Sequence, residues 1–555
     1  MRLWKPSPEH AAHGLTKPSK EGFFDGFPSS PAIGLYQSFT WVLLWPYMGS
    51  AQSGGRNRLL RFFIPSMYQN SSTIFLRPLP RFWVMPIAVA CSLFIAGCTH
   101  TSRFDGQSAT VAVPTQWSST AAQPQQRTPE DLSRWWQRFG DAQMTALIEQ
   151  SLQANPSVQS AQASLRQARA QLDVQAASRI PSTSAGFDRG RSWEGGDNGA
   201  NSYAARVSAS WEADLWGRQA NAVQAGEANV QAAVAALEGA HVSLAAEVAL
   251  NYIQLRSLQN RLRIAQDNLG IQRENQQITE WRLQAGLATS LDAEQARSLT
   301  AQTAAQIPAL ESSLAQTRHA LAILTGQPPS ALDAELLAAQ PVPVAPDSLA
   351  MTLPADTLRQ RPDVRAQEQK VIAAVANLSS QERANFPTLR LSGSLGLNAL
   401  TLGALSGATV AQNIAAGLAA PLFDAGANRA QIRVQQALVE QARISYRSTV
   451  LTALQEVEDA LVQLQGDKDR LVQLKIAEEA ARYAQLLANQ RYSSGLVDFQ
   501  TVLDTQRTLL SSQDSVATAQ ASISTDYVRL YKALGGGWQP LNAEGQVIDT
   551  AAAQP

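Results

Sequence analysis

The sequence predicts a mainly α-helical chain that lends strands to a transmembrane β-barrel and is built as an internal duplication. Three observations predict it. "RLQAGLATSLDAEQARSLT", starting at Arg282, aligns without gaps with "RYSSGLVDFQTVLDTQRTL", starting at Arg491, at an offset of 209 residues. Two very long stretches without proline, Arg218 to Gln284 and Asn428 to Ser493, read as continuous helix. Between them and the preceding helices lie short segments in which apolar and polar residues alternate with a period of two.

At 555 residues, with 45% hydrophobic and 16% charged residues, the chain is globular in composition. No uninterrupted apolar run reaches the ~18 to 20 residues of a membrane-spanning helix. The nearest approach is "FWVMPIAVACSLFIAGC", Phe82 to Cys98, which follows Arg77 and Arg81 and has the anatomy of a secretory signal peptide. Its end, "LFIAGC", resembles the lipobox of bacterial lipoproteins, in which the cysteine after Ala-Gly is acylated and becomes the mature N-terminus. Cys98 is therefore the expected lipidation site. Cys91, the other cysteine, lies in the segment removed, so no disulfide is expected. Thr99 follows the lipidated position, and by resemblance to known sorting behaviour this favours the outer membrane. Residues 1–66 precede any n-region and read as a misplaced start, with Met67 as the true one and a functional extension as the alternative; 67–97 is the signal peptide. Without residues 1–97 the chain carries 36 Lys/Arg against 42 Asp/Glu, a net of −6 that argues against a nucleic-acid partner.

After a flank over 98–154, the first copy occupies 155–330, a linker rich in Pro, Ala and Asp covers 331–360, the second copy occupies 361–536, and a loose tail follows over 537–555. Each copy opens with an amphipathic helix, from Pro156 to about Arg179 and from Pro362 to about Ala384, with proline in its first turn. Two strands follow. Tyr203, Ala205, Val207, Ala209 and Trp211 alternate with Arg206, Ser208 and Ser210; Leu389, Leu391, Leu395 and Leu397 alternate with Arg390, Ser392, Ser394 and Asn398. The stretch from Thr409 to Ala420 is alanine-rich and weaker. The long helices come next, each spanning on the order of 100 Å, with Leu255, Leu258, Leu262, Ala265 and Leu269 as a heptad seam. Return helices run from about Ser290 to Leu324 and from about Phe499 to Leu534, so Gly286 and Gly495 are turns at the tips of helical hairpins. Four strands cannot close a barrel in lipid, where open edges leave backbone groups unpaired, so several chains must combine.

The ordered motifs Trp135-Trp136, "SWEADLWGR", "IPALE", "LTGQPP", "LPADTLRQRPDVRAQE", "NFPTLRLSGSLG", "PLFDAG", "EVEDAL", "RYSSGLVDFQTVLDTQR" and "YKALGGGW" make the chain from Trp135 to Trp538 similar to the TolC/OprM-like outer membrane factor family, in its lipoprotein branch. The resemblance implies a trimer: a twelve-stranded transmembrane barrel continued by a twelve-helix periplasmic coiled-coil tunnel. It implies the passive exit duct of a tripartite efflux pump for drugs or other small molecules, with a periplasmic adaptor protein and an inner-membrane resistance-nodulation-division transporter as partners. An exit duct for a protein-secretion exporter, or a coiled-coil envelope scaffold, are the rival readings. The place is the outer membrane, lipid-anchored, reaching into the periplasm.

By the same resemblance the tips Gly286-Leu287 and Gly495-Leu496 contact the adaptor, and Asp504 lines a periplasmic gate with Arg507, Arg491 and Tyr492 as polar candidates for closing contacts. Gln500, one turn before Asp504, stands where relatives often have an apolar residue. Packing of Leu287 and Leu496 over their own turns, and a merely solvated Asp504, are the plainer alternatives. Trp211 and Trp216 mark the strand–helix junction, either as membrane-interface aromatics or as packing residues. Asp214, Arg218 and Asp424 at that junction read as structural. The histidines are scattered singly and no catalytic spacing occurs, so no enzyme activity, cofactor or metal is expected. "ALGGGW" reads as a helix stop.

Lipidation is testable directly. The intact mass of the purified protein should correspond to a chain that begins at Cys98 and carries acyl groups, and Cys98→Ser should leave the preceding segment attached.

Overall fold

A computed structural model of the chain describes residues 114, 117–118, 130–193, 199–345, 354–407 and 409–538. The chain divides into two compact units after Ser102, and every described residue lies in the second. The expected extension, signal peptide and Cys98 lie outside the described residues, as does most of the tail.

The elements run α1 (Glu130–Ser133), a 3-10 turn (Trp135–Phe139), α2 (Ala142–Ala154), α3 (Pro156–Ala177), β1 (Ser182–Ser192), β2 (Ala200–Ala213), α4 (Arg218–Gln284), α5 (Ser290–Leu324), α6 (Pro354–Gln360), α7 (Pro362–Glu382), β3 (Thr388–Ala399), β4 (Thr409–Ala419), α8 (Ala427–Ser493) and α9 (Phe499–Ala533). The two halves repeat one plan. α4 and α8 each have 67 residues, and α5 and α9 each have 35. Pro156 and Pro362 open α3 and α7, where a missing N–H costs nothing, and the Asn155 side chain caps α3 by accepting from the Ser157 N–H at 2.7 Å.

Both hairpins turn by the same device. At the first tip, Leu287 N–H donates to Arg282 C=O at 2.7 Å and Gly286 N–H to Leu283 C=O at 2.9 Å; at the second, Leu496 donates to Arg491 at 2.9 Å and Gly495 to Tyr492 at 3.0 Å. These are Schellman caps, which demand a left-handed residue, and Gly286 and Gly495 supply φ of 72° and 73°. The return helices are then capped afresh: Thr289 and Asp292 form a reciprocal capping box, and Asp498 accepts from the Thr501 N–H at 2.9 Å.

β1, β2, β3 and β4 form one antiparallel sheet in that order, so the two halves join through β2 and β3. Among the described residues, β1 and β4 each keep one unpaired edge. The main core lies partway along the helices, where Trp135 stacks on Tyr531 at 5.4 Å, and Met144, Leu147, Ile148, Tyr252, Leu255 and Val528 are fully buried. Most of the heptad seam is buried too. An 18-residue window of α4 reaches a mean hydropathy of 1.4, and over half of it is buried in the fold as core packing. "ALGGGW" does stop α9, with Gly535 at φ 75° and the Gly537 N–H donating to Leu132 C=O at 2.9 Å.

Buried polar groups clasp this girdle. Arg256, fully buried, donates to Gln259 Oε1 at 2.7 Å, to Ala338 C=O at 2.8 Å, to the Tyr252 hydroxyl at 2.9 Å and to Gln143. The Tyr252 hydroxyl donates to Asp141 Oδ2 at 2.9 Å, and burial pushes it up to about 12. Asp141 in turn caps α2 through the Met144 N–H at 2.8 Å. Arg361 ties the end of α9 (Ala533 C=O, 2.7 Å) to Glu456 on α8 at 2.7 Å. Arg365 on α7 meets the buried Glu238 on α4 at 2.6 Å; burial raises that carboxyl and Arg365 opposes the rise. A buried charge is costly to orphan, so the Arg365–Glu238 pair helps fix where the halves meet.

Asp526 on α9 faces Asp467 on α8. Burial first, and then Asp467, pushes the Asp526 carboxyl up to about 7, against the pull of Arg529 at 3.4 Å. An unfolded aspartate titrates near ~3.9, so the folded chain holds this proton more tightly. The stability it contributes is complete below about pH 4 and lost as pH rises through about 7. Asp526→Asn, neutral throughout, should therefore melt with the wild type below about pH 4 and increasingly above it as pH rises to 8; melting curves whose separation ignores pH would refute this.

Candidate functional site

The sheet presents two unlike faces. Phe187, Val207, Leu395, Ile414 and Leu418 share one, and Val207, Leu395, Ile414 and Leu418 are 55%, 53%, 94% and 71% exposed. Water does not tolerate so large an apolar surface, but lipid does. The opposite face is lined with hydroxyls. Ser182 and Ser210 approach to 3.1 Å and Ser184 and Ser208 to 2.9 Å, with Ser392 and Ser394 next to them in register.

Where strands meet helices, both tryptophans are fastened to backbone. Trp211 Nε1 donates to Arg179 C=O at 2.9 Å; Trp216 Nε1 donates to Pro387 C=O at 2.6 Å, and its ring stacks on Phe386 at 5.1 Å. The indole N–H groups are thus satisfied while the rings stay partly exposed. The neighbouring charges serve the local fold. Asp214 accepts from the Ala220 N–H at 2.7 Å, Arg218 pairs with Glu212 at 2.7 Å, and Asp424 accepts from the N–H groups of Asn428 and Gly426, which hold its carboxyl below the usual range.

At the far end, Leu287 and Leu496 stand 77% and 74% exposed, so neither is covered by its own turn. Gln500, Asp504 and Arg507 line one exposed face of α9. Gln500 Nε2 donates to Asp504 Oδ1 at 3.0 Å, and Arg507 Nη1 reaches the same oxygen at 3.3 Å. Arg491 and Tyr492 are not part of this cluster. Tyr492 packs against Phe499 at 5.3 Å, in a small core with Ala296, Leu299, Ala488, Val502 and Leu503, and the Arg282 guanidinium lies 4.8 Å over its ring. That core and cation–π contact join the two hairpins. Arg282 and Phe499 escape a reading by motif, although Arg282 is the aligned counterpart of Arg491 and could have been singled out on that ground.

The family model for outer membrane efflux proteins matches residues 147–327 and 353–536. The chain belongs to that family. It is 34% identical over 442 residues to the pyoverdine export outer membrane protein OpmQ of Pseudomonas putida, covering 77% of this chain and 93% of that protein. It is 28% identical over 467 residues to the probable outer membrane lipoprotein SilC of Salmonella typhimurium, covering 81% and 98%. The solved structure of the outer-membrane channel OprN, 34% identical, superposes with a TM-score of 0.73 over 79% of this chain and 99% of that one. This outer membrane efflux protein is therefore a member of a family of channels, not of enzymes, and its place is the outer membrane.

The Asp504 cluster contributes little to folding. Its partners are about half exposed and the pair is one of helix neighbours, an arrangement worth a few tenths of a kcal/mol. Asp504→Ala should leave the melting temperature of the protein unchanged within ~1 kcal/mol of stability, in contrast to loss of the buried Arg256.

Proposed function

We propose that this efflux protein is the exit duct of a tripartite pump, in which three copies close a twelve-stranded barrel and continue it as a helical tunnel across the periplasm. The observation that carries the reading is the four-stranded sheet with two unpaired edges, one lipid-compatible face and one hydroxyl face. Pairing β4 of one copy with β1 of the next satisfies both edges and turns the serines toward a water-filled lumen. The 67-residue helices, on the order of 100 Å long, carry the lumen away from the membrane. A scaffold would have no use for the lipid-facing strands.

The exposed Leu287 and Leu496, raised on Gly286 and Gly495, are the surfaces we assign to a periplasmic adaptor, which links the duct to an inner-membrane resistance-nodulation-division transporter. Asp504, with Gln500 and Arg507, is assigned to the gate: three-fold symmetry sets three carboxylates around one axis. Arg491 and the Tyr492 hydroxyl, which has no partner among the described residues, are left to bond across chains. Trp211 and Trp216 are assigned to the membrane interface, and Cys98 to a lipid anchor. That relatives are named for pyoverdine export and cation efflux favours small cargo over a secreted protein.

Light scattering of the detergent-solubilised protein should give a trimer, and planar-bilayer recordings should give low conductance that rises in Tyr492→Phe with Arg507→Ser. Asp504→Ala should weaken cation preference. A stable monomer or dimer would remove the twelve-stranded reading.

A further inference from the structure

The hydroxyl face of the sheet carries its charges unevenly. Glu212, at the helix end, is neutralised by Arg218 at 2.7 Å. Arg206 sits near the middle of β2, is exposed, and has no carboxylate within 4.0 Å among the described residues. Its two ladder neighbours are both glycine, Gly186 on β1 and Gly396 on β3. A guanidinium has five N–H donors in a rigid fork, and here no adjacent side chain on its level can accept from them. The next two levels toward the helices hold serines: Ser208 between Ser184 and Ser394, then Ser210 between Ser182 and Ser392. Asp188, opposite Ala204, is one diagonal step toward the β1–β2 turn and is not ion-paired with Arg206.

At Gly396 an added Cβ would meet Ala205 C=O at 3.2 Å and the Arg206 stem at 3.7 Å, whereas at Gly186 it would meet nothing within 4 Å, so a gap that packing does not explain lies on the β1 side of the arginine. The gap is explained by space for a ligand beside the fork. In a narrow lumen with low-dielectric walls, three such cations at one height focus a positive potential that solvent does not fully screen.

We propose that Arg206, contributed once by each chain, forms a guanidinium level midway along the barrel lumen that binds the oxyanion groups of departing solutes: carboxylate, phosphate or sulfate. The serine levels beside it supply hydroxyl donors. This rests on the trimeric-duct reading. It gives the barrel a charge preference opposite to that of the Asp504 level, so the duct is acidic at its periplasmic end and basic at its exit.

Inorganic pyrophosphate, titrated calorimetrically into the detergent-solubilised protein at low salt, tests the assignment. One pyrophosphate should bind per three chains, with affinity falling as salt shortens the Debye length below ~10 Å. Arg206→Ser should weaken binding about tenfold or more. Arg206→Lys should keep most of it, and Asp188→Asn should strengthen it. Light scattering on the same samples separates the two ways of failing. A trimer whose pyrophosphate binding is absent, or unmoved by Arg206→Ser, overturns the level alone; a protein that is not a trimer overturns the duct reading and the level with it.

Discussion

Everything else in this molecule depends on two rows of unpaired backbone groups. Among the described residues, the outer edges of β1 and β4 have no strand to pair with, while β1 exposes Phe187 and β4 exposes Val410, Ile414 and Leu418 to their surroundings. Hydrocarbon suits those side chains and penalises those edges, by several kcal/mol for each orphaned group. Four strands are fewer than the roughly eight of the smallest transmembrane barrels. In the proposed duct, assembly answers that conflict, and the alternation that puts Val207 and Leu395 on one face of the sheet puts the serines and Arg206 on the other.

The helices answer a different demand, that of reach. A 67-residue helix has no single buried face, and its neighbours change along its length. α4 is buried at many positions along its course, whereas α8 leaves Val434, Leu438, Ile444, Leu451, Val472 and Ile476 uncovered. The two halves are alike in plan and unlike in packing: the first half supplies much of the chain's own core, and the second leaves an apolar row exposed. The polar clasps of Arg256, Arg361 and Arg365 gather where the linker, α2 and the end of α9 wrap the bundle, which is where a long rod most needs bracing against bending.

Much of this was legible in the sequence because the strongest local signals coincide with the strongest physical demands. Proline marked the starts of α3 and α7, and Gly217, Gly286, Gly426 and Gly495 bracket the long helices, which contain no proline. β1 was harder to read. "STSAGFDRGRS" has little apolar content, and its strand character comes from pairing with β2. Arg256, Glu238 and Asp526 sit in helical sequence that reads as solvated charge, and only the three-dimensional path of α2, α7 and α8 buries them. At the tips, Asp504, Gln500 and Arg507 are neighbours by helical spacing and could be grouped in advance. The Arg282–Tyr492 contact joins different hairpins, and no spacing rule reaches it.

The matched lengths of the two hairpins have a consequence for how such a chain can change over generations. Substitution is tolerated along most of a solvent-washed rod, but losing one residue from α4 or α8 withdraws its tip by ~1.5 Å and rotates everything beyond the deletion by ~100°. The two tips would then stand at different heights and aim their leucines in different directions. Insertions and deletions in one half must be compensated in the other or confined to loops, so this architecture should drift readily in letters while its ruler stays locked at 67 and 35.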